Sequence, residues 1–225
     1  MAEATTAPTE AIQDYAKAIY GLERRAGGVA VTTSAIADRL GVSPASVTAM
    51  LKRMSEAGLV EHEPYRGVQL SAAGEKVALE VIRHHRLLES YLAEALGMPW
   101  DRVHAEAEVL EHYISEELEE RIATALGDPV VDPHGDPIPS RELEIAIDDG
   151  TSLATMEPGR HGVFSRVSDS DPSMLRYLAE RGIRPGADLA VIDRQPFGGP
   201  LFVEVGGEQH AIGGELAERM VISAG

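Results

Sequence analysis

The chain has 225 residues, enough to bury a core and to form two or three small domains. Apolar residues make up 44% and charged residues 25%, a composition that excludes a fully disordered chain. Twenty basic and 37 acidic residues give a formal net charge of −17, opposite to the overall charge expected of a nucleic-acid binder. No cysteine is present, which excludes disulfides, thiolate zinc sites and thiol catalysis.

The first residues lack the basic and apolar segments of a signal peptide, and no run of about 18 apolar residues occurs. We therefore expect a cytoplasmic protein that has no membrane partner. The negative charge is concentrated in residues 101–149, which hold fifteen acidic residues and three arginines. Residues 39–66 hold four basic and three acidic residues, so a local cationic face remains open there.

Capping and turn residues divide the start of the chain into short elements. Apolar residues at helical spacing predict a first helix over residues 10–26, which two glycines end. Thr32-Thr33 offer an N-cap for a short helix that ends near Leu40-Gly41, and Ser43 with Pro44 begins a third helix. Alternating polarity over residues 59–70 predicts a two-stranded hairpin. The order is that of a helix-turn-helix followed by a wing.

Small polar residues at the start of the third helix suit the major groove of DNA. In helix-turn-helix docking this part of the second motif helix meets base edges, while Lys52, Arg53 and the wing residue Arg66 would reach phosphates. The predicted DNA-facing residues are Thr33, Ser34, Ser43, Pro44, Ala45, Ser46, Thr48, Lys52, Arg53 and Arg66. Helical bundles also contain two short helices joined at a glycine, but the appended wing favours DNA binding.

Two longer helices and a proline-rich segment follow the hairpin. The pattern predicts one helix from residue 71 to about residue 97 and another over residues 101–125. Residues 127–140 contain four prolines and predict a connector, which is the best candidate for a domain boundary. Short β-type runs beyond it, with one helix over residues 172–181, predict a small barrel.

Histidine and glutamate recur along the two longer helices. On the second, four residues at i, i+4, i+7 and i+8 would cover about a third of the helix circumference. These residues are His104, Glu108, Glu111 and His112. His85 and Glu89 form an i, i+4 pair on the preceding helix, and the short link favours antiparallel packing. Oxygen and imidazole ligands without sulfur suit Mn or Fe.

The remaining histidines do not belong to such a set of histidine and glutamate residues at helical spacing. His134, His161 and His210 are isolated in the sequence, and we expect His84 to face solvent. Any single residue of the His/Glu set could equally belong to a solvated acidic helix face, and only the combination indicates a metal site.

Together these motifs resemble the DtxR/MntR family of metal-dependent transcriptional repressors over nearly the whole chain. The matching segments are IADRLGVSPASVTAMLKRMSEAGLV, RHHRLLE, GMPWDRVHAEAEVLEHYISEELEERI and DPHGDPIP. The resemblance implies a mainly α fold with a C-terminal all-β part. Its domains would be a winged helix-turn-helix DNA-binding domain over residues 1–74, a helical metal-binding and dimerisation domain over 75–140 and a small SH3-like (FeoA-like) barrel over 141–225.

The resemblance also assigns ligands, position by position. The regulatory site would comprise Asp14, Glu108, Glu111 and His112, and an ancillary site would comprise His85, Glu89 and His104. Iron-responsive members carry Met at the position of Asp14 and Cys at that of Glu108, so the resemblance favours Mn2+ over Fe2+. Zn2+ or Co2+ is expected to substitute in vitro.

This sequence departs from the family's pattern in two places. Short manganese-responsive members have a further Glu ligand where this chain has Lys17, which argues for two separated sites rather than a closely bridged metal pair. Long iron-type members take two ancillary ligands from the barrel, in a region that SDSDPS occupies here, and this indicates Asp169 or Asp171.

The function implied is that of a cytoplasmic homodimer that binds a palindromic double-stranded DNA operator when loaded with Mn2+ and represses metal-uptake genes. A metal held by Asp14 and by residues of a distant helix would tie the DNA-binding module to the dimerisation module. The alternatives are an iron(II)-responsive repressor of the same family, a dinuclear metal enzyme that activates water, a metal buffer and a metal-independent regulator. No nucleophile motif supports the enzyme, so no catalytic residue is predicted.

Overall fold

The computed structural model describes residues 8–63, 67–146 and 150–224. The chain divides into two compact units, the first comprising residues up to 84 with 141–143 and the second comprising 85–140 with the residues from 144 onward. Helices dominate the first two thirds of the sequence and strands the last third, which confirms the predicted fold class. None of the helices within the described ranges has both the length and the apolar character that a membrane crossing requires.

The first unit begins with three helices whose ends follow from their capping residues. These are α1 (Glu10–Arg25), α2 (Thr33–Leu40) and α3 (Pro44–Glu56). The Thr32 side chain accepts the N–H of Ala35, and the Ser43 side chain accepts that of Ser46. Gly41 ends α2 in the left-handed conformation that glycine adopts without strain. The predicted helix-turn-helix is confirmed.

The wing consists of two antiparallel strands, β1 (Val60–Glu63) and β2 (Gly67–Leu70). The long helix α4 (Ala72–Glu94) follows directly. Near its start, a Cβ built on Gly74 would lie 2.0 Å from the carbonyl oxygen of Leu59, so only glycine allows this close approach. Arg66, predicted for the wing tip, lies outside the described residues.

Two helices, α5 (Val103–Leu110) and α6 (Glu116–Ala125), replace the single helix predicted over residues 101–125. The N–H of Glu111 makes the last bond of α5, to the carbonyl of Ala107 at 2.9 Å. Ser115 then begins α6 by accepting the N–H of Leu118 at 3.3 Å. The prediction was wrong because a serine N-cap with acidic residues behind it starts a new helix. Glu111 and His112 therefore lie beyond the end of α5.

The proline-rich residues 127–140 form no regular helix, as predicted, and they are held within the second unit. The N–H of Val167 donates to the carbonyl of His134 at 2.9 Å. Gly135 has a φ of 88°, and a Cβ at this position would lie 1.9 Å from the carbonyl oxygen of Ser165. The segment therefore runs in direct backbone contact with the C-terminal sheet. The boundaries predicted at residues 74 and 140 stay predictions.

The C-terminal part is a six-stranded antiparallel sheet with strand order β3-β8-β4-β5-β6-β7, in agreement with the predicted C-terminal all-β part. Its strands are β3 (Thr151–Ser152), β4 (His161–Val167), β5 (Asp188–Arg194), β6 (Leu201–Val205), β7 (Glu208–Ile212) and β8 (Met220–Ser223). Two helices, α7 (Pro172–Ala179) and α8 (Gly214–Arg219), and a 3-10 turn over Leu153–Thr155 complete it. Phe164, Leu178 and Val203 are fully buried in its core, and Trp100 packs into the same core from the link before α5.

Candidate metal centre

A buried glutamate lies at the centre of the candidate metal site. Glu89, on α4, is 0% exposed. Its Oε1 lies 3.1 Å from His85 Nε2 and 3.4 Å from His104 Nδ1, and its Oε2 lies 3.6 Å from His134 Nδ1. Within the described part of the chain neither carboxylate oxygen has a partner at hydrogen-bond geometry. A buried carboxylate that faces imidazole nitrogens without hydrogen bonds fits a place for a cation.

Four ligand atoms converge on one side of this glutamate. They come from His85, Glu89, His104 and Asp169, and all lie within 4.8 Å of one another. Asp169 Oδ2 is 2.9 Å from His104 Nδ1. Of the two candidates in SDSDPS, Asp169 thus reaches the site, whereas Asp171 accepts the N–H and the hydroxyl of Ser173 and begins α7.

A second set meets on the other side of Glu89. Asp132 and His134, from the proline-rich segment, are buried and lie with Glu89 within the same 4.8 Å limit. The expectation that His134 is isolated was wrong, because a contact with a residue 45 positions away leaves no local pattern. His134 Nε2 bonds the carbonyl of Trp100 at 2.8 Å, which directs Nδ1 at Glu89. His84, expected to face solvent, is also buried.

A third set contains residues predicted for the regulatory site. His85 Nδ1 lies 2.5 Å from Glu111 Oε2 and 3.8 Å from Glu108 Oε1. Glu111 is fully buried, and its Oε1 lies 3.8 Å from His112 Nε2, while the Glu108 side chain is 42% exposed. His85, predicted for the ancillary site alone, therefore faces both sets. Asp14 lies on α1 in the first unit.

The electrostatics of the cluster are those of closely coupled acids and imidazoles. Asp169, and then Glu89, raise the pKa of His104 to about 10. Burial lowers the pKa of His134, but the carboxylate of Glu89 outweighs it and raises that pKa to about 9. Burial opposes ionisation of Glu89, yet the surrounding imidazoles hold its pKa well below the ordinary value. Burial, aided by Glu89 and Asp136, raises the pKa of Asp132 to about 8.

The DNA-facing prediction concerns one side of α3 and the start of α2. The exposed members are Ser34, Ser43, Pro44, Ala45, Ser46, Thr48, Lys52 and Arg53, and Thr33 is half-buried. Val47, Leu51 and Met54 on the opposite side of α3 are buried. The helix thus packs through one face and leaves the predicted contact residues accessible.

Comparison with known families matches each part of the chain. Residues 8–68 match the N-terminal DNA-binding domain of iron-dependent repressors, and residues 71–140 match their metal-binding and dimerisation domain. Residues 151–224 match the FeoA domain.

Whole proteins match over similar lengths. The iron-dependent repressor IdeR of Mycobacterium tuberculosis is 32% identical over 220 residues, which cover 92% of this chain and 94% of that protein. The diphtheria toxin repressor of Corynebacterium diphtheriae is 32% identical over 190 residues, covering 80% and 83%. The solved structure of a manganese-dependent transcriptional repressor in complex with manganese is 38% identical, has a TM-score of 0.84 and covers 94% of this chain and 99% of that one. The chain therefore belongs to the DtxR/MntR family of metal-dependent transcriptional repressors.

Proposed function

We propose that this repressor is activated by Mn2+, binds a palindromic operator as a homodimer and controls genes of metal uptake. The observation that carries the proposal is the buried cluster around Glu89, in which every ligand atom is an oxygen or an imidazole nitrogen. Such a donor set is hard, and it suits Mn2+ better than the softer metals that thiolates select. The proposed role of the metal is regulatory rather than catalytic.

The ancillary site is proposed to use His85, Glu89, His104 and Asp169. These residues belong to the second unit, and their ligand atoms already lie close enough to share one ion. A bound divalent cation supplies positive charge that relieves the repulsion between the clustered carboxylates. Asp132 and His134 support the buried side of Glu89.

The regulatory site is proposed to use Glu108, Glu111 and His112, with Asp14 as a further ligand. The proximity of Glu111 to both His85 and His112 supports the first three residues. The proposal that Asp14 is a ligand of this site rests on the family resemblance. His85 Nδ1 faces Glu111 and Glu108, so this imidazole either binds here or orients Glu111 from behind.

Dimerisation is proposed to use the apolar side chains that α5, α6 and the turn between them expose. Val109, Tyr113 and Leu118 are 62%, 69% and 45% exposed. Residues of this size are costly to leave in water as a group, and a second copy of the chain would cover them. The domain that contains them matches a dimerisation domain.

Fe2+ is the second candidate metal, because the relative IdeR of Mycobacterium tuberculosis is an iron-dependent repressor. The absence of cysteine from the chain weighs against it, since iron-responsive members carry Cys at the position of Glu108. The two metals differ little in their affinity for oxygen and nitrogen ligands, so a direct comparison on DNA is required.

The test is a fluorescence-anisotropy titration of the full chain on duplex DNA at fixed salt. Selection from random duplexes in Mn2+ first supplies the operator, and titrations then compare chelator, Mn2+, Fe2+ without oxygen, and Zn2+. We expect tight binding only with metal, and half-activation at physiological Mn2+ concentrations. Equal affinity in chelator and in metal would refute the proposal.

Glu111→Ala identifies the ligand set within the same assay. We expect it to abolish metal-dependent binding while the fold survives, because Glu111 is central to the regulatory set. Glu106→Ala is the matched control, an exposed glutamate on α5 that belongs to none of the candidate ligand sets. Undiminished operator affinity of Glu111→Ala in Mn2+ would exclude the assignment.

A further inference from the structure

The wing is hydrogen-bonded to the segment that follows α1. Val31 pairs with Val68 through two backbone hydrogen bonds of 2.9 Å, so β2 lies between β1 and this residue. The side chain of Gln69 donates from Nε2 to the carbonyl of Gly28 at 3.1 Å. A Cβ on Gly67 would lie 2.7 Å from the carbonyl oxygen of Val31, which shows how closely the two backbones approach.

A side chain of α1 itself makes a further connection. Glu23 Oε1 accepts the backbone N–H of Leu70, the last residue of β2, at 2.9 Å. Glu23 and Leu70 are both half-buried. Burial raises the pKa of Glu23, the bond to Leu70 opposes this change, and Glu75 adds to it. The carboxylate is therefore partly removed from water at a place where it satisfies one backbone donor of the wing.

Glu23 follows Asp14 on the same helix by nine residues, or about 14 Å along the helix axis. A helix held by its own backbone hydrogen bonds transmits a displacement along its length. A change in the position of the start of α1 is thus expected to displace the wing. The displacement would pass through the contacts of Glu23, Val31 and Gln69. Among these contacts only the one from Glu23 comes from α1, since the other two come from the loop behind it.

We propose that Glu23 is a positioning residue that holds the wing on α1 and so transmits the position of α1 to the DNA contacts of the wing. This inference rests on the proposed function, in which Asp14 binds the regulatory metal, and on the contact with operator phosphates that the sequence predicts for the wing residue Arg66. It adds a residue that contacts neither metal nor DNA. Loss of the bond leaves the metal site intact and lets the wing move away from the phosphates.

The experiment compares Glu23→Ala and Glu23→Gln with the parent chain at full length and saturating Mn2+. We expect Glu23→Ala to weaken operator binding about tenfold, the size of one hydrogen bond to a charged group. The slope of log affinity against log salt should become less negative by about 1, because a phosphate contact is lost. Mn2+ affinity should stay within about twofold of the parent. Glu23→Gln should restore both DNA readouts, because its amide oxygen accepts the same N–H.

Controls separate this role from charge and from folding. Asp38→Ala removes one exposed carboxylate from the same module and should leave the salt slope unchanged or steeper. Glu23→Asp keeps the charge but is one methylene too short, so it should weaken binding like Glu23→Ala even if the alanine variant unfolds. A parental salt slope in Glu23→Asp, or a Gln variant as weak as the Ala variant, would overturn the proposal. If the proposed function is wrong, the parent chain itself will bind DNA with the same affinity in the presence and in the absence of Mn2+.

Discussion

His85 presents its two ring nitrogens to two different glutamates: Nδ1 lies 2.5 Å from Glu111 Oε2, and Nε2 lies 3.1 Å from Glu89 Oε1. A neutral imidazole has one lone pair and one N–H, so it binds metal through one nitrogen and donates through the other. In the proposed sites the ring would therefore bind metal in one set and donate the hydrogen bond that orients a carboxylate of the other. We thus expect His85 to couple the two proposed metal sites.

His85→Ala is accordingly expected to weaken metal binding in both sets, by about tenfold or more in each. Glu89→Gln, its matched partner, removes a proposed ligand of the ancillary site and leaves the proposed regulatory ligands unchanged. Calorimetric titration with Mn2+ should resolve two classes of site in the parent chain and show which class each variant loses. An unchanged class in His85→Ala would mean that the ring serves one set only.

Metal binding is also expected to release protons. The pKa of His104 is raised to about 10 in the metal-free chain, chiefly by Asp169, so at pH 7.5 this ring carries a proton that a metal must displace. Affinity for Mn2+ should therefore rise from pH 7 to pH 9. Calorimetry in two buffers of different ionisation enthalpy should show about one proton released at His104 for each ion bound.

The variant Asp169→Asn tests whether the released proton comes from His104. Without the carboxylate the pKa of His104 falls toward 6.5, and fewer protons are released at pH 7.5. The raised pKa also stabilises the metal-free fold, fully below pH 6.5 and less as the pH rises through about 10. Equal proton release by parent and variant would show that Asp169 does not control His104.

Local signals in the sequence were sufficient for the DNA-binding part and insufficient for the metal cluster. Thr32 and Ser43 cap α2 and α3 as predicted, because an N-cap depends on residues within one turn. The apolar spacing of residues 103–114 continues across the break after α5, and it concealed the N-cap at Ser115. Ser115 and the acidic residues after it are the sequence signal that predicts two helices instead of one over residues 101–125.

The contacts of His134 and Asp169 with the cluster have a different origin. His134 meets Glu89 and Asp169 meets His104 across 45 and 65 positions of the chain, a separation at which no periodicity relates two residues. For the ancillary ligand expected from the C-terminal part, the family resemblance left two candidates, Asp169 and Asp171. The geometry separates them, because the side chain of Asp171 is already bonded to Ser173 at the start of α7.

Gly135→Ala is expected to destabilise the second unit. Its φ of 88° is unfavourable for alanine, and the new Cβ would meet the carbonyl oxygen of Ser165 at 1.9 Å. The free energy of unfolding should fall by about 3 kcal/mol, the cost of strain and a backbone clash together. Gly214→Ala is the control, since a Cβ there meets no described atom within 4 Å and α8 gains a better helix former. If thermal unfolding shows Gly135→Ala to be as stable as Gly214→Ala or more stable, the close approach of Gly135 to the carbonyl oxygen of Ser165 is contradicted.

Metal preference should move from Mn2+ toward Fe2+ in the double variant Asp14→Met, Glu108→Cys. The family resemblance places sulfur ligands at these positions in iron-responsive members, and sulfur is a softer donor than the carboxylate oxygen it replaces. Glu108 is 42% exposed, so the smaller cysteine should be accommodated without loss of fold. Oxygen-free anisotropy titrations with each metal on the same operator give the ratio of half-activating concentrations, which we expect to shift at least about tenfold toward iron. Glu106→Cys adds a thiol to the same helix outside the ligand set and should leave the ratio unchanged. An unaltered ratio in the double variant would show that other residues of the cluster, rather than Asp14 and Glu108, determine the metal preference.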